Sequence, residues 1–350
     1  MVASVGPKKF LIVKVGAIGD VVMALPMVSA LKAADQDAHI TWICGRTVAG
    51  LLGEVREIDS LIVLDETRLL AGGPLAKILE IFRVWMKTFF KRYDTVFVGH
   101  SNRAYRLLAL ATLKGSLRSF GTRPDGHALP APARHHSGEY VRMVTGVNGS
   151  DMPVVTPYKL VANSGLGLKR VGLAPGGARN AKRDTPHRRW PIESYVTLAR
   201  FLIANGYQVT VFGAPSDEWV LPAFGDMKIE SLVGKLNLLE TTRRLAEMSC
   251  VVTHDSGPAH LTGLSATPLV VLFGPTNPLN FAPLGPHVTV LTNEKRLPCQ
   301  PCYDGLECAP CPDYRCMREI AVPRVLGAVT AAIEAASEAA AKTTRAPSRK

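Results

Sequence analysis

Apolar and polar positions along the first half of the chain follow two alternating spacings. Phe10–Val15 is a compact β-type run, followed by the Gly-containing turn Gly16-Ala17-Ile18-Gly19-Asp20. Apolar residues then recur at helical spacing over Val21–Ala33, ahead of a second β-type run at His39–Cys44. Strand, turn, helix, strand is the order of a parallel βαβ unit. Leu61–Leu64 and Thr95–Val98 are further short strands, with helical spacing at Ile78–Phe90 and Ala104–Leu113. Pro124, Pro130 and Pro132 mark Thr122–His136 as a loop.

The pattern then restarts. Val171–Ala174 predicts a strand, Pro175–Pro191 a long loop, Ile192–Asn205 a helix ended by Gly206, and Tyr207–Phe212 another strand. A helix at Leu238–Met248, a strand at Cys250–Thr253, a helix start at Gly257–Leu264 and a strand at Pro268–Phe273 follow. Two successive halves of this kind predict an α/β protein with two Rossmann-like domains facing across a cleft. Pro157, Asn163, Ser164, Gly165 and Gly167 cluster near Tyr158–Lys169, which sets the division at residues 1–163 and 164–325. Residues 326–350 complete an Ala-rich terminal helix, Val322–Ala341, and end in a frayed basic tail over Thr343–Lys350.

Composition narrows the class of protein. With 350 residues, 47% of them hydrophobic and 20% charged, the chain suits about two domains and is not composed like a disordered one. No stretch approaches about 18 consecutive apolar residues, so no membrane-spanning helix is expected. Lys8 and Lys9 precede an apolar Phe10–Val13, but Lys14 and Asp20 interrupt any signal-peptide core, and a cytoplasmic location is expected. The net charge of +12 is uneven. Arg83–Arg142 holds eleven basic and three acidic residues, and Lys169–Arg189 seven and one. Such fields favour polyanions, among them nucleic acid, anionic lipid head groups and nucleotide phosphates.

Four turns carry candidate chemistry. The first is Gly16-x-x-Gly19-Asp20, which offers backbone amides and one carboxylate at a helix start, without the dinucleotide fingerprint or a Walker loop. Asp20 reads either as an N-cap or as a general base aimed across the cleft. The second runs from Ala174-Pro175-Gly176-Gly177 to Arg188-Arg189-Trp190-Pro191. Glycines there admit phosphate oxygens to backbone N–H groups and arginine supplies bidentate charge, or else the loop is only a solvated basic one. The third, Asp255-Ser256-Gly257-Pro258-Ala259-His260, sets a carboxylate for sugar hydroxyls and open amides for phosphate after a strand, with His260 read as a packed helix residue. The fourth, Phe273-Gly274-Pro275-Thr276, is a tight strand exit beside the third.

These four segments, in this order and spacing, resemble family 9 glycosyltransferases, the heptosyltransferases of lipopolysaccharide inner-core synthesis. The likeness covers about Lys8 to Arg324 and is strongest from Val171 to Thr276. It implies a GT-B fold whose N-terminal domain binds the acceptor and whose C-terminal domain binds the nucleotide-sugar. It further implies inverting transfer of L-glycero-D-manno-heptose from an ADP donor without a catalytic metal. The acceptor it implies is of the phosphorylated lipid A–Kdo type, with peripheral contact at the inner membrane face. Asp20 matches the family's catalytic aspartate, and Gly16 and Gly19 lie on the acceptor side. Gly176, Gly177, Arg188, Asp255, Ser256, Gly257 and His260 fall on the donor side. Within that set Asp255 matches the aspartate at the donor sugar and Gly257 the diphosphate turn. Arg188 stands where the family usually has Lys, and the loop Ala178–His187 is long; both leave room for a related donor. Gly213–Glu218 is a candidate for the adenine pocket.

Cys299, Cys302, Cys308, Cys311 and Cys316 crowd into residues 299–316. Two C-x-x-C units in a reducing compartment are compatible with a structural zinc knuckle, with redox-sensitive thiols, or with plain loop packing. No required cofactor is expected. A zinc-knuckle nucleic-acid-binding protein is the reading from another class. The chain lacks a recognition helix, an RNP-type aromatic strand and a sequential Cys/His finger, so no nucleic-acid partner is expected. A sensor that binds nucleotide-sugar without turnover is a further alternative.

Overall fold

The computed structural model describes residues 6–120, 134–146, 153–180, 183–303 and 308–345. Residues 122–133 of the expected loop, Lys182 and the last residues of the basic tail lie outside these. The chain divides into two compact units, Met1–Tyr158 and Lys159–Lys350, ahead of the 163/164 division that the Gly-rich segment suggests.

The first unit is built on β1 (Lys9–Val13), α1 (Ile18–Ala24), α2 (Pro26–Ala34), β2 (His39–Gly45) and α3 (Arg46–Leu52). It continues through β3 (Ser60–Leu64), α4 (Glu66–Leu70), α5 (Pro74–Thr88), β4 (Arg92–Val98), β5 (Leu113–Ser119) and α6 (His136–Thr145). The strands form one parallel sheet in the order β3-β2-β1-β4-β5. Phe10 to Val13 is buried throughout, because a central parallel strand is covered on both faces. Leu11, Val13, Ile43, Val96 and Val98 belong to the core on one of those faces.

Two expectations change here. The helix over Val21–Ala33 is two helices: Leu25 ends α1 and opens α2, where Pro26 has no N–H to continue the ladder. The helical spacing at Ala104–Leu113 holds only a 3-10 helix, Arg103–Ala109, and Leu113 already begins β5.

The second unit contains β6 (Arg170–Ala174), the two-residue antiparallel pair β7 (Arg179–Asn180) and β8 (Arg183–Asp184), α7 (Ile192–Ala204), β9 (Gln208–Val211) and β10 (Ile229–Ser231). Then come α8 (Leu238–Leu245), β11 (Cys250–His254), α9 (Gly257–Gly263), β12 (Leu269–Leu272), α10 (Pro278–Phe281), β13 (Val288–Leu291), α11 (Arg315–Arg318) and α12 (Val322–Arg345). Its main sheet is parallel in the order β10-β9-β6-β11-β12-β13, so β6 and β11 adjoin at the centre. Trp190, Tyr195, Leu202, Val252 and Val325 share its core, and Trp190 Nε1 donates to Ile320 O at 2.9 Å. That bond ties the segment before α7 to the segment leading into α12.

Candidate active site

In a doubly wound sheet, a crevice opens at the carboxyl ends of the two central strands, where the chain leaves toward opposite faces. In the first unit those strands are β1 and β4, followed by Lys14–Asp20 and by Gly99–His100. Lys14 Nζ lies 2.9 Å from Asp20 Oδ2; the lysine side chain is 4% exposed and the carboxylate 40%, so a buried cation holds a half-open anion. Asp20 is the third residue of α1, whose N-cap is Ala17, so the capping reading of Asp20 gives way. Gly16 precedes that helix with open space where a Cβ would stand, and Gly19 lies in its first turn.

Three neighbours in the first unit were not apparent from sequence. Lys14 is one, hidden in an apolar run. His100 is another: its Nε2 accepts the Val15 N–H at 2.9 Å, which leaves the ring proton on Nδ1. Burial, and then the charge of Lys14, hold the His100 pKa well below 6.5, so the ring is neutral. The third is Tyr140, buried, with the Lys14 ammonium 5.9 Å from its ring centre. Burial and the charge of Asp20 raise its phenol pKa well above the ordinary value.

In the second unit the central pair is β6 and β11, followed by Pro175–Gly177 and Asp255–Gly257. Arg188 Nη2 meets Asp255 Oδ2 at 2.6 Å, and Thr276 Oγ1 donates to the same oxygen at 2.5 Å. The Arg188 Nε–H is buried and has no hydrogen-bond partner among the described residues. Such a donor costs free energy unless a ligand satisfies it. Arg189 is committed instead: it donates to Gly177 O at 2.9 and 2.8 Å, and it pairs with Asp184.

Asp217 explains the two glycines after β6. Its Oδ1 accepts the Gly177 N–H at 2.9 Å and its Oδ2 the Ala214 N–H at 2.8 Å. A Cβ on Gly176 would lie 2.4 Å from Asp217 Cγ, and Gly177 has φ +77°. The Gly177 amide is therefore spent on a protein carboxylate, while Gly176 allows the close approach. Asp217 lies inside the Gly213–Glu218 segment singled out for adenine, and here it acts as a clamp on the β6 turn.

Ser256 is the N-cap residue of α9 by position only; its hydroxyl donates to His254 O at 3.1 Å and not into the helix. Gly257 opens α9, and His260 is buried within it. His254 sits beneath this turn, with Nδ1 3.1 Å from the Tyr195 hydroxyl. Burial, followed by the charges of Arg188 and Arg189, lowers its pKa to about 3. It contributes no positive charge near neutrality.

The five clustered cysteines are free thiols. Among the described residues, no group of three or more His, Cys, Asp and Glu side chains is arranged to hold a metal ion. Cys299, Cys302, Cys311 and Cys316 line a cavity of about 380 Å³ together with His187 and Tyr314. Burial is the first cause that pushes the Cys308 thiol up to about 11 and the Cys316 thiol up to about 12, so both are protonated near neutrality.

Known proteins resemble this chain in sequence and in fold. Residues 162–310 match the family model described as glycosyltransferase family 9 (heptosyltransferase). Lipooligosaccharide heptosyltransferase 2 of Haemophilus influenzae is 34% identical over 163 residues, 40% of this chain and 46% of that protein. Lipopolysaccharide heptosyltransferase 2 of Salmonella typhimurium is 26% identical over 307 residues, 79% of this chain and 85% of that protein. The solved structure of E. coli ADP-heptose lps heptosyltransferase II superposes with a TM-score of 0.69 at 20% identity, covering 94% of this chain and 99% of that one. The shared fold is GT-B, and the two parallel α/β sheets are its two Rossmann-like domains. Over residues 162–310 the chain is similar to glycosyltransferase family 9, and its fold is that of the solved heptosyltransferase.

Proposed function

We propose that the chain transfers a heptose from ADP-L-glycero-D-manno-heptose to a lipopolysaccharide inner-core acceptor, with inversion at the anomeric carbon. The observation that carries this reading is the partnerless Arg188 N–H beside the buried Asp255 and Thr276, at the switch point of the second sheet. It is a fixed cation with an unused donor where a diphosphate belongs in this fold. Relatives named as heptosyltransferases, and a solved fold named for ADP-heptose, support the donor class.

In the proposed step, the acceptor hydroxyl oxygen forms a bond to the anomeric carbon as the bond from that carbon to the ADP oxygen breaks. The hydroxyl proton passes to Asp20, and ADP leaves with the bonding pair. Lys14 fixes where the Asp20 carboxylate points, and the neutral His100 supports the turn that carries both. Arg188 meets charge as it grows on the departing diphosphate, which is preorganised electrostatic stabilisation. Asp255 holds Arg188 in place and offers its carboxylate to sugar hydroxyls. The reaction takes place on the cytoplasmic side of the inner membrane, where an acceptor of the phosphorylated lipid A–Kdo type is presented.

Replacing Asp20 with Asn removes the base and keeps the shape. Turnover should fall by about 10²–10⁴, the usual worth of general-base assistance, while thermal stabilisation by ADP stays as in the parent protein. Full activity of Asp20→Asn would overturn the assignment. Arg at position 188, locked onto Asp255, favours a second reading in which the nucleotide-sugar donor differs. A thermal-shift screen of ADP-, UDP- and GDP-sugars separates the two: strongest stabilisation by a UDP- or GDP-sugar would replace the donor.

A further inference from the structure

Helix α5 is built inside out. At about 100° of rotation per residue, Leu75, Ile78, Leu79, Phe82 and Met86 fall on one stripe roughly 100° wide. A helix packed on a sheet turns such a stripe toward the core. Here the residues buried on the sheet side are Glu80, Val84 and Thr88, and the apolar stripe faces solvent. Phe82 is 55% exposed and Met86 62%.

The apolar surface continues beyond the helix. Phe89 and Phe90 follow it, both exposed, with their rings 4.4 Å apart. The Phe90 N–H donates to Ala111 O at 3.3 Å and the Trp85 indole to Leu107 O at 2.6 Å, which brings exposed Leu107, Leu110 and Leu113 alongside. Scattered exposed apolar side chains need no explanation, whereas a contiguous patch of this kind does.

Charge decides what covers it. Arg83 and Lys87 flank the stripe on α5, and Lys91, Arg92 and Lys114 lie exposed beside the two phenylalanines and Leu113. From Leu75 to Arg92 the only carboxylate is Glu80, which is buried, and from Arg103 to Arg118 there is none. A second copy of the chain docked on this face would set basic rim against basic rim. We propose that α5 and the Phe89–Phe90 and Leu107–Leu113 segments form a docking surface for an anionic lipid bilayer. The apolar stripe enters the headgroup–acyl boundary and the basic rim pairs with phosphate head groups. The inference deepens the reading of the acceptor as lipid-anchored, but it rests on the first unit's own surface.

The test is flotation of the full chain with phosphatidylcholine vesicles, with and without about one third phosphatidylglycerol, across a range of salt. The protein should float with the anionic vesicles and not with neutral ones, and salt should release it because the rim is exposed. Phe82→Asp with Met86→Asp should lower the bound fraction about tenfold or more, since two large apolar side chains lose their burial. If that pair of changes unfolds the protein, Lys87→Glu with Lys91→Glu provides the same readout without touching the stripe, at roughly fivefold per charge. Equal flotation with neutral vesicles, no flotation with anionic ones, or a concentration-dependent dimer that Phe82→Asp dissolves would each overturn the proposal. Vesicle binding needs neither donor nor acceptor. Loss of heptose transfer as the activity would therefore leave this result standing, and failure here would leave turnover of a deacylated, soluble acceptor intact.

Discussion

Arg188 and Asp255 neutralise one another in the free protein at 2.6 Å, with the carboxylate almost wholly buried. In the proposed function an incoming diphosphate must share the guanidinium or part the pair. Arg188→Ala should therefore do two separable things. It should weaken ADP binding, and it should strand a buried carboxylate, at a cost of about 3 kcal/mol in stability. Adding Asp255→Asn should restore much of the melting temperature and none of the ADP affinity; calorimetry reads both. A second expectation concerns acid. The folded-state pKa is about 3 for His254 and about 4 for His287, and that of His100 lies well below 6.5, burial being the first cause in each. The unfolded chain takes up these protons near pH 6.5 and the folded chain does not. Stability should be full above that pH and fall as pH drops toward about 4, by up to about 1.4 kcal/mol per pH unit for each histidine. Denaturant midpoints measured across that window check the slope, and His254→Gln should flatten it by one proton.

At the scale of elements, the β6 turn depends on a missing side chain. Gly176→Ala would drive a methyl to 2.4 Å from Asp217 Cγ and push the clamp off the Gly177 and Ala214 amides. A loss of about 1–3 kcal/mol is expected, read as a drop in thermal midpoint. Gly16→Ala, with nothing within 4 Å of the new atom, should leave that midpoint unchanged. The central strands were legible because burial on both faces writes them as unbroken apolar runs, as in Phe10–Val13 and Cys250–Thr253. Of the sheet margins only β3 was, as Leu61–Leu64. β5 reads Leu-Lys-Gly-Ser-Leu-Arg-Ser, mostly exposed, and β10 has only three residues, so neither carries a periodic signal. The spacing of Ile78–Phe90 announced a helix correctly, yet its apolar side faces the solvent, which periodicity alone does not reveal.

Across the whole molecule, each unit has its own sheet, core and switch point. Donor chemistry is confined to the second unit in the proposed function. Hydrogen exchange with saturating ADP should then slow the amides near Gly176, Arg188 and Gly257 and leave those of residues 6–120 as they were; protection centred on Lys14–Asp20 would contradict that assignment. The motif residues that sequence picked out do gather at the two switch points: Asp20 in one, Arg188 and Asp255 in the other. The roles of His100, Tyr140 and Asp217 escaped notice because each has a partner distant along the chain, which no local spacing records, and that of Lys14 because its partner Asp20, six residues on, lies beyond an apolar run. Within each main sheet all strands run in one direction, so the loops that feed a sheet enter at the edge opposite its switch-point turns. Exposed Gln36 and Asp37, ahead of β2, and Asn205 and Gly206, ahead of β9, lie in such loops. A fluorophore attached at those four positions would report on the protein's motions at a remove from its chemistry.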